Sequence, residues 1–152
     1  MKNKKNILFY LLKDYKYIIF DLDNTIYDFR DYDYGAIKEV YQFLKIKIDK
    51  SDVIRFINYR QKKLFKKNLI DKHLEKINIK KNLIKKSISI FNNHNCKYIN
   101  KKNSLRPLIK KLKNNRKKLF IISNGEEKKQ NKKINKLKIK RYFEQIIICP
   151  PI

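Results

Sequence analysis

The chain has 152 residues, 42% of them apolar and 12% aromatic, which is too apolar for a disordered chain and long enough for one domain whose core removes about 68–70% of the unfolded surface from water. Forty Lys and Arg against 14 Asp and Glu give a formal net charge of +26, a field that attracts polyanions, yet the excess is lysine spread along most of the chain. No basic stripe with interleaved stacking aromatics stands out, so no specific nucleic-acid partner is expected and the charge reads as a solvated surface, of the kind an AT-biased gene with many Lys, Asn, Ile and Tyr codons produces.

The start, "MKNKKNILFYLLKDYK", has the basic residues and apolar stretch of a signal peptide, but Lys13 and Asp14 interrupt it and no small-residue cleavage site follows. Nothing approaches the apolar length that spans a bilayer. The expectation is a cytoplasmic chain with no membrane partner, and residues 5–13 as a short amphipathic helix. "YIIF" at 17–20 is a continuous β-favouring run that reads as a strand buried on both faces. "DLDNTIYDFRDYDYG" follows, rich in turn formers and holding five of the aspartates: Asp21, Asp23, Asp28, Asp31 and Asp33.

From Ala36 the spacing of Ile37, Val40, Tyr41 and Leu44 predicts a helix. "SDVIRFINYRQKKLF" predicts a second with Ser51 as its cap, and 69–77 and 80–92 predict two more. A loop over 93–103 contains "HNC", whose His94 and Cys96 are too few donors for a metal site; His73 has no recognisable companion, and surface positions are expected for all of these. Cys96 and Cys149 are too few and too distant in sequence for a disulfide framework, which points to a reducing compartment. "SLRPLIKKLKNN" from Ser104 reads as a helix with Pro107 in its first turn, "KLFIIS" at 118–123 as a second buried strand, 126–139 as a helix with Ile134 and Leu137 on one face, and "QIIIC" at 145–149 as a third strand.

Strand, helical insert, helix, strand, helix, strand is the order of an open parallel α/β sheet. Such sheets bind ligands beyond the carboxyl ends of their strands, where Asp21 and Ser123 both fall. A carboxylate there is able to attack an electrophile and form a covalent intermediate, and for phosphoryl transfer Mg²⁺ bound by carboxylates and phosphate oxygens offsets the charge repulsion. Asp23 is placed to protonate the leaving group and then activate water, while Ser123 and the backbone amide of Asn124 are placed to hold phosphoryl oxygens. A lone D-x-D is more often an ordinary turn, but this pair is accompanied.

"IIFDLDNTIY" resembles the first motif of the haloacid dehalogenase superfamily of phosphohydrolases, an apolar strand followed by D-x-D-x-T, and "LFIISNG" resembles its second. The segment "QNKKINKLKIKRYFEQIII" is similar to the family's continuation, with Gln130, Lys133, Leu137, Ile139, Tyr142 and Phe143 at the family's spacing. The resemblance covers roughly residues 16–149. It implies Asp21 as nucleophile and Mg²⁺ ligand, Asp23 as general acid/base with its backbone carbonyl on the metal, Thr25 and Gly125 as supports, and Ser123 with Asn124 as phosphate binders. It implies a Rossmann-like α/β core of about three parallel strands: 1–15 an N-terminal extension, 16–29 and 104–152 a partial core, and 30–103 an inserted helical cap. Asp28, Asp31 and Asp33 read as solvated flap or hinge residues.

Two further family motifs, a lysine that neutralises nucleophile and phosphate and an acid that completes the metal site, follow the third strand in the family; this sequence ends "ICPPI". Lys128, Lys129, Lys132 and Lys133 match the lysine in charge but belong to the helix after the second motif. Without the strands that flank it in the family, "YIIF" becomes an apolar edge open to association, shielded by "NILFYLL", by a second copy or by a partner chain. Three readings of function follow: a Mg²⁺-dependent phosphatase of a small phosphorylated metabolite, acting through an aspartyl-phosphate; a truncated, inactive family fragment or binding module; and a basic nucleic-acid-binding protein.

Overall fold

The structure, a computed structural model, describes residues 2–47, 49–62, 69–101 and 104–150. The chain divides into two compact units, one of Met1–Phe29 with Ile99–Ile152 and one of Arg30–Tyr98.

The first unit holds three strands, β1 (Tyr17–Phe20), β2 (Lys118–Asn124) and β3 (Gln145–Cys149), in the order β1-β2-β3. Both pairings are parallel, with Phe20 opposite Ile121 and Asn124 opposite Cys149. The protein is therefore α/β with a parallel sheet. The ladder follows from the apolar β-branched and aromatic runs of the three strands, and parallel neighbours require the helical crossovers that separate them in sequence.

Helix α1 (Lys2–Leu12) packs on α6 (Arg106–Asn114), α6 packs on β2, and α7 (Glu127–Leu137) packs on β3. Helix α6 begins with proline in its first turn, where a missing N–H costs nothing. Its Leu108, Ile109 and Leu112 join Leu119, Ile121, Ile134 and Leu137 in the buried core.

The expectation of strands buried on both faces does not hold. Burial alternates along β1, with Tyr17 and Ile19 57% and 62% exposed while Ile18 and Phe20 are buried. The same exposed side of the sheet carries Ile122 and Ile147. A continuous apolar run shows that a strand can be covered twice; it does not show that a second layer of helices is present. Helix α1 starts before the predicted residue 5 and lies against α6, leaving the Tyr17–Ile19 side open.

The second unit is helical: α2 (Phe29–Leu44, whose first residue belongs to the first unit), α3 (Lys50–Lys62), α4 (Leu69–Lys76) and α5 (Lys81–Asn93). Its core gathers Ile37, Val40 and Tyr41 of α2, Phe56 and Ile57 of α3, Leu74 of α4 and Phe91 of α5. Helix α2 begins seven residues before Ala36, inside the segment that read as turn. Ser51 is not the cap of α3; the Asp49 carboxylate accepts hydrogen bonds from the Ser51 amide (3.1 Å) and hydroxyl (2.5 Å), which hold its pKa below the usual carboxylate range. The predicted extension of α3 past Lys62, residues 102–103 of the predicted loop and the last two residues lie outside the described residues.

Asp33 is also corrected. It is fully buried, with Arg60 Nε donating to its Oδ2 at 2.9 Å and the guanidinium over the Phe91 ring, so it braces α2 against α3 and α5. Asp28 and Asp31 are half-buried rather than solvated. His94 and Cys96 are buried, the former edge-on to Tyr32. Among the described residues no three His, Cys, Asp or Glu gather as a metal cluster.

His73 sits in α4, not in a loop, with Nε2 2.6 Å from the Tyr41 hydroxyl and its ring against Phe56. Burial lowers its pKa from the ordinary 6.5, and Asp52 opposes this only in part. The unfolded chain therefore takes up this proton before the folded one, so stability present at neutral pH is lost as pH falls below about 6.5. The urea midpoint is expected to drop between pH 7 and 5.5, and His73→Gln, which keeps an amide near Tyr41 without titrating, is expected to flatten that drop.

Candidate active site

The site is built at the carboxyl ends of β1 and β2. Leu22 and Ile26, both fully buried, anchor the turn after β1, and the Ile26 amide closes it on the Leu22 carbonyl at 3.0 Å. Asn24 takes the left-handed conformation that Asn tolerates (φ 59°), and its side-chain oxygen accepts from the Phe29 amide at 3.1 Å. The Leu105 amide, at the start of α6, ties the turn down through the Ile26 carbonyl at 2.7 Å. The D-x-D segment is thus a fixed turn with its two acidic side chains in different surroundings.

Asp21 follows the last residue of β1 and is exposed; Thr25 Oγ1 donates to its Oδ2 at 3.3 Å. Asp23 is held on several sides. Lys133 Nζ lies 2.9 Å from both carboxylate oxygens, Gln130 Nε2 donates to Oδ2 at 3.1 Å, and the Tyr27 hydroxyl donates to Oδ1.

The second motif meets the first through Gln130. Its Nε2 also lies 2.9 Å from Ser123 Oγ and 2.6 Å from the Asn124 carbonyl oxygen. Ser123 is buried and Asn124 is exposed beside it. Gly125 closes the motif with φ +142° and its amide on the Cys149 carbonyl at 2.8 Å, and any Cβ there would stand 2.9 Å from Gln130 Nε2.

Gln130 Oε1 is buried and accepts no hydrogen bond among the described residues. An unmet buried acceptor costs on the order of 1–3 kcal/mol. The reverse orientation of the amide would set that oxygen against the Asp23 carboxylate and the Asn124 carbonyl, so the NH₂ end faces the site.

The structure therefore brings Asp23, Ser123 and Asn124 into one hydrogen-bonded cluster, with Asp21 and Thr25 at its exposed side. Of the four lysines matching the family's cation in charge, Lys133 reaches Asp23 in this cluster, and Lys129 pairs with Glu126 at 3.0 Å. Tyr27 had no role in the sequence reading, although a hydroxyl four residues after Asp23 in a tight turn is a usable signal. An exposed carboxylate with a neighbouring carbonyl fits Mg²⁺, which takes one or two protein oxygens and fills its shell with water and substrate phosphate.

A family model for haloacid dehalogenase-like hydrolases matches residues 18–151. The fold is shared with YfnB of Bacillus subtilis, assigned as a HAD hydrolase and solved bound to magnesium (17% identity, TM-score 0.63, 88% of this chain and 63% of that one). A Clostridium difficile protein assigned as a phosphatase is similar as well (18% identity, TM-score 0.59, 90% and 61%). So is a Thermotoga maritima protein assigned as a β-phosphoglucomutase (16% identity, TM-score 0.59, 88% and 61%). The chain spans somewhat under two thirds of the length of these structures. No curated protein matches it. On the match over nearly its whole length, and with the family's two leading motifs joined at the ends of adjacent parallel strands, the chain belongs to the haloacid dehalogenase-like hydrolases.

Proposed function

We propose that the chain carries the catalytic half-site of a Mg²⁺-dependent phosphatase acting on a small phosphorylated metabolite. The observation that carries this reading is the Gln130 amide touching Asp23, Ser123 and the Asn124 carbonyl together, which makes one site of two motifs about a hundred residues apart.

In this reading an Asp21 oxygen attacks phosphorus and the ester P–O bond breaks, leaving an aspartyl-phosphate. Asp23 gives a proton to the departing oxygen. It then takes a proton from water, whose oxygen attacks the same phosphorus; the Asp21–phosphorus bond breaks and inorganic phosphate leaves. The Asp21 carboxylate and the Asp23 backbone carbonyl would hold Mg²⁺, which would supply positive charge against the phosphoryl oxygens. Ser123 and the backbone around Asn124 orient those oxygens, and Thr25 steadies Asp21.

A second reading is a phosphatase-like module without turnover, in which the same cluster binds phosphate and transfers nothing. The test is hydrolysis of an aryl phosphate by the purified chain in Mg²⁺ and in excess chelator. Turnover that disappears with chelator supports the phosphatase; absence of turnover in folded protein supports the module.

A further inference from the structure

We infer that Lys133 and Gln130 are positioning residues that divide the work between the two aspartates, engaging the Asp23 carboxylate with protein donors so that Asp21 alone offers its side chain to a divalent cation. This rests on the Mg²⁺-dependent reading above and adds to it a role for two residues of α7.

The two carboxylates are two residues apart and chemically identical, so either side chain is able to ligate a cation or to carry a proton. Their surroundings separate them. Asp21 is exposed, and Thr25 Oγ1 donates to it at a long 3.3 Å. Asp23 accepts from Lys133 on both oxygens, from Gln130 on one and from Tyr27 on the other.

The clamp is built rather than incidental. The Lys133 side chain is 5% exposed, whereas most surface lysines keep their ammonium in water, and its Nζ also lies 5.2 Å from the Phe29 ring centre. Gln130 is 2% exposed and keeps an unmet buried oxygen while its NH₂ serves the site. Residues 130, 133, 134 and 137 form the buried stripe of α7, so the packing of Ile134 and Leu137 fixes the phase that aims both polar residues at the turn after β1. An ammonium lodged between a carboxylate's oxygens opposes a cation at the same carboxylate.

The test is Mn²⁺ affinity, read by water-proton relaxation, in the full chain and in Lys133→Met, Lys133→Arg, Asp23→Asn and the Lys133→Met/Asp23→Asn double variant. Lys133→Met is expected to bind Mn²⁺ roughly tenfold more tightly, because a second carboxylate joins Asp21. That gain should vanish in the double variant, and Lys133→Arg should keep the wild-type affinity. Gln130→Met, a smaller loss from the same clamp, should move affinity in the same direction and serves if Lys133→Met does not fold. Unchanged affinity in the clamp variants, with measurable binding by the wild type, overturns the division of roles and leaves the phosphatase reading standing. No binding by any form overturns the metal-dependent reading and the inference together.

Discussion

Asp21→Asn is expected to lower Mg²⁺-dependent aryl phosphate hydrolysis by at least about 10³-fold, because an amide oxygen is a poor nucleophile and a poor cation ligand. The same substitution is expected to leave stability within about 0.5 kcal/mol of wild type, since Asp21 is exposed and its hydrogen bond from Thr25 is long. The two measurements together separate a chemical role from a structural one. Asp23→Asn, in contrast, takes the charge from beside the ammonium of Lys133, whose side chain is 5% exposed, so it should reduce both turnover and the urea midpoint. If Asp21→Asn retained full turnover in a sample freed of contaminating phosphatase by two unrelated purification steps, the assignment of the nucleophile would be wrong.

That contrast between neighbouring aspartates shows where sequence stops being informative. The strands were legible because "YIIF", "KLFIIS" and "QIIIC" are rich in β-branched and aromatic residues without a helical period, and the D-x-D and Ser-Asn-Gly endings marked the carboxyl ends of the first two. Which faces the strands bury was not legible, since a run apolar on both sides carries no record of whether a second layer covers it. The start of α2 was hidden because "FRDYDY" looks like turn, and its helicity depends on burying Tyr32 and Asp33, the latter against Arg60. Local propensity yields to tertiary packing at such a place.

The clamp on Asp23 shows the same limit at the level of the site. Four lysines follow the second motif within eight residues, and composition makes them equivalent. Helical phase distinguishes them: Gln130 and Lys133 stand four residues before Ile134 and Leu137, on the stripe that faces the core. A polar residue on a buried stripe requires a partner, and here the partner is Asp23. The Tyr27 hydroxyl, four residues after Asp23, meets it once the turn has closed on Leu22 and Ile26.

Gly125→Ala is expected to combine a fold defect with a site defect, and the two are separable. At φ +142° the backbone is in a region that residues with a Cβ rarely occupy, which costs about 1–3 kcal/mol in urea denaturation. The new methyl would also stand 2.9 Å from Gln130 Nε2 and 3.2 Å from Cδ, displacing the amide that links Asp23 to Ser123. Misplacement of that kind should lower turnover by roughly tenfold or more beyond what partial unfolding explains. The partner variant is Gln130→Ala, which removes the clashing amide and the link at once. If the collision contributes to the fold defect, Gly125→Ala and Gln130→Ala combined should be less destabilising than their sum, because the second change relieves the contact that the first creates. The part of the loss due to φ alone should persist in the double variant. Strict additivity would mean that backbone strain accounts for the whole stability effect and that Gly125 supports the turn without guarding the Gln130 amide.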